Sequence, residues 1–171
     1  KEDTFKKQLI WIKKILSKYK NEKGIIHTTN YEITEWLKEN LMDNRLIFHE
    51  TENRDEMLEK HINSTSPTVL ISPSMMSGVD LKDDLARFQI LLKIPYPNIS
   101  SNKIKSRQKT NKNWYTWKTV VDTLQMYGRS TRSETDYSDT YILDSNFSDL
   151  LKYNSHIIPK YFTNAIKTLK I

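Results

Sequence analysis

The sequence predicts an α/β fold, a three-layer α/β/α sandwich around a mostly parallel central sheet. Two observations predict it. Apolar runs of strand length alternate with amphipathic runs of helix length along the chain. The central strands are continuously apolar rather than alternating, as in Thr68-Val69-Leu70-Ile71-Ser72, which is the mark of strands buried on both faces. A length of 171 residues suits one domain with one core, spanning residues 1–171 without an internal boundary or repeat.

Phe5, Leu9, Ile12, Leu16 and Tyr19 share a helical face, so residues 4–20 read as an amphipathic helix stopped by residues 21–24. Residues 24–29 form a short strand ending in hydroxyls. Asn30 caps a helix with apolar positions Ile33, Leu37 and Leu41. Residues 45–49 are a second strand. Asn53 and Glu56 suggest a capping box opening a helix through His61. After a turn at residues 64–67 come strands over 68–72 and 88–94, the latter ended by Pro95 and Pro97. Residues 98–112 read as a polar, basic loop. Trp114, Trp117, Val121 and Leu124 restore helical period with an inward face. Residues 140–144 are the last strand, and Pro159 opens a helix over 159–169.

The formal net charge is +6, which favours polyanionic partners. There are no cysteines, so disulfides, thiolate zinc sites and cysteine-held iron–sulfur clusters are excluded within these residues. No apolar run reaches membrane-spanning length, and no membrane partner is expected. The chain begins at Lys1 rather than Met and reads as a fragment of a larger protein. His27, His49, His61 and His156 show no metal-ligand spacing, so no metal site is expected here.

Four constellations carry candidate chemistry. In the first, Gln125, Arg129 and Arg132 are spaced i, i+4, i+7 and share a face if the segment is helical. Planar guanidiniums grip phosphate oxygens bidentately and can neutralise a transferring phosphoryl group. Gly128 lets the helix approach a neighbour closely. An equally available reading is a solvated basic face with Glu134 and Asp136 as ion-pair partners. In the second, residues 72–81 follow the most apolar strand, so Ser72, Ser74 and free amides sit where α/β sheets bind ligands, with Gly78 permitting a turn and Asp80 orienting an arginine or a ribose hydroxyl. An ordinary strand–loop–helix junction with Asp80 as cap fits the same residues. In the third, Thr28, Thr29 and Asn30 link a strand end to a helix N-terminus, a place for phosphate, although Asn30 serves equally as a cap. In the fourth, Lys103, Lys105, Arg107, Lys109 and Lys112 precede Trp114, Tyr115 and Trp117, a mixture suited to single-stranded nucleic acid or to a solvated loop.

Taken in order, these blocks resemble the C-terminal motor domain of superfamily 2 helicases of the DinG/XPD-like group. The resemblance covers residues 20–165, with residues 72–81 and Lys93-Ile94-Pro95-Tyr96-Pro97 as motif V and residues 125–137 as motif VI. It implies a RecA-like fold. It also implies that Gln125, Arg129 and Arg132 face ATP, that Gly78 and Asp80 couple the nucleotide to the track, and that Thr29, Ser72 and Ser74 lie along single-stranded DNA. Ser77 stands where an acidic residue is usual, Lys82-Asp83 where Pro-Gly is usual, and Ser138 where Gly is usual, marking a divergent member. No G-x-x-x-x-G-K-[ST] loop and no Asp-Glu metal motif occurs in the chain. ATP and Mg2+ are therefore expected on an N-terminal RecA-like domain of the same protein, with this fragment inactive alone. The implied partners are that domain and single-stranded or forked nucleic acid, DNA by resemblance, in an intracellular setting (cytoplasm or nucleoid/nucleus). The alternative is a non-catalytic nucleic-acid-binding module with a degenerate helicase fold.

Overall fold

The computed structural model describes residues 2–73, 81, 83–128 and 136–169. Its sheet has five strands in the order β2-β3-β1-β4-β5, and every pair is parallel. They are β1 (Gly24–His27), β2 (Leu46–Phe48), β3 (Val69–Ser72), β4 (Phe88–Leu91) and β5 (Asp139–Ile142). The helices are α1 (Glu2–Lys18), α2 (Tyr31–Asn40), α3 (Arg54–Asn63), α4 (Asn102–Thr110), α5 (Trp114–Tyr127), α6 (Asn146–Asn154) and α7 (Lys160–Ala165). The chain gathers into two compact units, Lys1–Ile94 with Gln125–Asp144, and Pro95–Leu124 with Ser145–Ile171.

The first unit holds the sheet. Alternate residues of each strand point to opposite faces, so the parallel register sorts two cores. Ile26, Ile71, Val69, Phe88 and Ile90 pack with Ile12, Ile15 and Leu16 of α1 and with Ile33 and Leu37 of α2. Ile25, Ile47 and Leu70 pack on the other face with Leu81 and Ala86, flanked by Met57 and Leu58 of α3. Each fully buried aliphatic or aromatic side chain of this kind contributes about 1.5–3 kcal/mol. Gly24 is required because a Cβ there would run into the Phe88 ring.

Helix ends are tied by side chains. Arg45 donates to Leu16 O and Tyr19 O at 3.0 and 2.8 Å, closing the C-terminal end of α1. Asp43 holds that guanidinium, and the hydrogen bond from Arg45 keeps the Asp43 carboxyl below its usual range. Lys23 Nζ donates to His61 O and Ile62 O at the end of α3. In the second unit, Tyr96 stacks on Tyr115, and Phe147 meets Phe162 edge-on.

Several sequence expectations need correction. Residues 98–112 are not a loop: 102–110 form α4. That segment buries no residue, so it carries no apolar period, yet its lysines, arginine and glutamine are good helix formers. Residue 53 makes no capping box; Asn53 Oδ1 accepts from Glu50 N instead. The inward face of α5 is Thr119, Val120, Thr123 and Met126, whereas Trp117 is exposed. The strand predicted over 88–94 ends at Leu91, and the final helix is shorter than 159–169, with Pro159 at its N-cap. Residues 146–154, to which the sequence assigns no element, form α6.

His61 gives the fold a measurable pH dependence. Its Nε2 donates to Leu85 O at 2.8 Å, and its Nδ1 accepts from Thr68 Oγ1 at 2.8 Å, so the ring is held neutral. Burial pushes its pKa down to about 4. The unfolded chain, with an ordinary histidine pKa near 6.5, therefore binds the extra proton first as pH falls. The stabilisation is complete above about pH 6.5 and is lost as pH drops toward 4. Urea unfolding should show about 2 kcal/mol lost between pH 7 and pH 5, with the loss in that window shrinking in His61→Gln. An unchanged loss in the variant would assign the effect to other groups.

Candidate functional site

The loop after β1 is set by buried hydroxyls. Thr28 is fully buried, and its Oγ1 lies 2.6 Å from Thr34 Oγ1. Asn30 caps α2, its Oδ1 accepting from Ile33 N at 2.9 Å. Between them Thr29 has φ of 66°, a left-handed backbone that a β-branched residue adopts only under strain. Such strain, of order 1–3 kcal/mol, gathers at functional sites. Thr29 and Asn30 are half-buried, so of the three it is these two that reach solvent.

Ser72 ends β3 and is buried. His49 Nδ1 donates to Glu50 O at 3.0 Å, which leaves Nε2 as the acceptor for the Ser72 hydroxyl at 2.8 Å. The hydroxyls of Thr28 and Ser72 are thus used internally. The two strand ends are also joined directly, Thr28 N donating to Ser72 O at 3.0 Å. Ser74, Gly78 and Asp80 lie outside the described residues.

Helix α5 ends beside the sheet face that carries α3. Gln89 is fully buried in β4, and its Nε2 donates to Tyr127 O at 3.0 Å and Thr140 Oγ1 at 2.7 Å. Met126 is buried, while Gln125 and Gly128 are exposed. Arg129 and Arg132 lie outside the described residues. Just after them comes Asp136, whose side chain is 1% exposed. It accepts from Arg87 Nη1 at 2.9 Å and from Asp83 N at 3.1 Å. Arg87 also donates to Asp84 at 3.0 Å and to Tyr137 O at 3.2 Å. Asp136 is therefore a buried partner of Arg87. It joins the chain that follows residues 129–135 to the chain that follows residues 74–80. The sequence reading missed Arg87 and Gln89. A glutamine inside Phe88-Gln89-Ile90-Leu91 was a signal, because a polar group in a doubly buried strand must find partners.

Lys103, Lys105 and Arg107 are exposed on α4. In an extended loop their every-second spacing would align them. In a helix it divides them, with Lys103 and Arg107 on one side and Lys105 with Lys109 nearly opposite. Arg107 sits 5.3 Å from the Trp114 ring centroid. Among the described residues, no three His, Cys, Asp or Glu side chains gather as a metal site, and no helix is long and apolar enough to cross a membrane.

Known proteins are similar to this chain. The helicase C-terminal domain family matches residues 12–165. The ATP-dependent DNA helicase CHL1 of Vanderwaltozyma polyspora is 27% identical over 147 residues, covering 70% of this chain and 18% of that protein. Its counterpart from Debaryomyces hansenii is 27% identical over 159 residues, covering 74% and 19%. Among solved structures, an XPD helicase superposes with a TM-score of 0.67 at 18% identity, covering 98% of this chain and 32% of that one. S. tokodaii Xpd4 gives 0.60 at 21%, covering 89% and 32%. The chain spans less than a fifth of the curated relatives it matches. With the parallel five-stranded sheet and a family match over most of its length, the chain belongs to the helicase C-terminal domain family of XPD-, CHL1- and DinG-like superfamily 2 helicases.

Proposed function

We propose that this domain is the second motor domain of an ATP-dependent DNA helicase. In this reading Arg129 and Arg132, with Gln125, reach ATP that the N-terminal RecA-like domain holds together with Mg2+. Gly78, Asp80 and Gly128 transmit the state of the nucleotide. The strand-end loops bearing Thr29, Asn30 and Ser74 follow single-stranded DNA, with Thr28 and Ser72 bracing them from behind. On α4, Lys103, Lys105 and Arg107 add phosphate contacts. The observation that carries the reading is the Asp136 junction. It ties the chain after the motif V residues to the chain after the motif VI residues, within a domain of matching family. The donor set supports it as well: two guanidiniums and an amide suit phosphate oxygens, not a cation. The chain carries no phosphate loop, so on its own it turns over no ATP.

The test is Arg132→Ala in the longer protein. ATP turnover should fall roughly a thousandfold or more while the melting temperature holds. Normal turnover in a folded variant removes the arginine from the reaction.

Thr29→Gly probes the track. Release of the left-handed strain should raise stability in urea by about 1 kcal/mol, while affinity for a single-stranded oligonucleotide falls. A variant that is less stable, or that binds DNA unchanged, contradicts the role given to Thr29.

A further inference from the structure

A surface cavity of about 410 Å3 opens between the C-terminal half of α1 and the connection from α2 to β2. Its α1 wall runs through Lys13, Leu16 and Lys20, spaced i, i+3, i+7. Lys20 lies in the turn just past the helix, where Tyr19 N still donates to Ile15 O at 3.0 Å. The facing wall is residues 41–45. Lys18 and Tyr19 bond to Asp139, the first residue of β5, and Arg45 leads directly into β2. The cavity therefore lies at the edge where the strands begin, opposite the loop that bears Thr29 and Asn30. A segment bound there leaves that loop open.

The two walls are clamped together. Arg45 reaches across to Leu16 O and Tyr19 O, and it donates through Nε and Nη2 to the Asp43 carboxylate at 3.0 and 2.7 Å. Those bonds cancel the charges of Arg45 and Asp43 against each other. Lys13 and Lys20 are left, both exposed and, among the described residues, without a carboxylate partner. Between Thr4 and Asn21 the chain has six lysines and no acidic residue to offset them. The apolar part of the lining is Leu16 and Leu41, each 3% exposed, with Met42 beside them 92% exposed. A lone exposed methionine is ordinary. Here the flexible thioether stands over an apolar floor between fixed walls, with two unopposed cations on the rim.

We infer that this cavity is a docking site for an acidic segment of a partner protein, one that carries an apolar side chain among its carboxylates. The apolar side chain packs on Met42, Leu16 and Leu41, and the carboxylates meet Lys13 and Lys20. This is the arrangement of an apolar anchor with a charged rim. A phosphate backbone would satisfy the lysines but offers no apolar group to Met42. The clamped walls lower the ordering cost of binding.

The test uses the 171-residue chain and the labelled peptide Glu-Asp-Glu-Leu-Phe-Glu-Asp-Glu in fluorescence anisotropy at low salt. Met42→Ser should weaken peptide binding about tenfold, and so should replacing Leu-Phe of the peptide by Ser-Ser. Lys13→Glu/Lys20→Glu should abolish binding of the acidic peptide and create binding of its Lys/Arg counterpart. Lys13→Arg/Lys20→Arg should keep the parent affinity. All three variants should melt like the parent, since the substituted side chains are exposed. A parent chain that fails to bind the peptide, or a Met42→Ser variant that binds it unchanged, overturns the inference. Labelled single-stranded and duplex oligonucleotides are titrated against the same variants. Oligonucleotide binding that falls with Met42→Ser as far as peptide binding does would assign the cavity to nucleic acid and overturn the peptide assignment.

Discussion

A buried carboxylate joins two distant parts of the chain. Asp136 is almost wholly removed from solvent, and a bare charge there would be costly. It is stabilised by the Arg87 guanidinium and by the amide of Asp83. These partners come from parts of the chain about fifty residues away. Asp83 has φ of 56°, so the amide it offers is delivered by a strained backbone. Breaking such a junction by removing one partner leaves the other charge buried, typically a loss of about 3–5 kcal/mol. In sequence, Asp80 lies three residues before Asp83 and Arg132 four before Asp136. The junction thus joins the residues that follow these two segments, Asp83 and Arg87 on one side and Asp136 on the other.

The two faces of the sheet differ in kind, and the difference follows from residue alternation. On the α1–α2 side the strands present Ile26, Ile71 and Ile90 to a dry core. On the other side the same strands present His27, Ser72 and Gln89, each two positions from an apolar neighbour on that face. His27 Nε2 lies 3.4 Å from Gln89 Oε1, and Gln89 reaches on to Thr140 and Tyr127. One face supplies cohesion. The other supplies polar bonds, one of which holds the end of α5 in place.

The legible parts of the sequence were those in which periodicity and burial agree. Helix α1 and strands β1 and β3 stand out because their apolar spacing is the spacing of the core. Asn30 was legible as a cap because its side chain does what that position asks. Helix α4 was illegible because nothing in it is buried, so its stability rests on propensity rather than pattern. Trp117 misled because a large aromatic at helical spacing resembles a core residue, whereas small Thr119 and Thr123 sit inside and donate back to carbonyls of their own helix. The family was legible as an order of motifs. The buried junction was not, since Arg87, Asp83 and Asp136 carry no spacing that reveals their meeting. Gly78, Asp80, Arg129 and Arg132, on which the proposed chemistry rests, fall outside the described residues.

The most direct measurement is amide hydrogen exchange on the chain and on Asp136→Asn. If one carboxylate holds both segments, the amides of residues 83–87 and of residues 137–139 lose protection together in the variant, while those of α2 exchange as before. Loss of protection confined to residues 137–139, with residues 83–87 unchanged, would contradict the junction and with it the common anchoring of the two motifs.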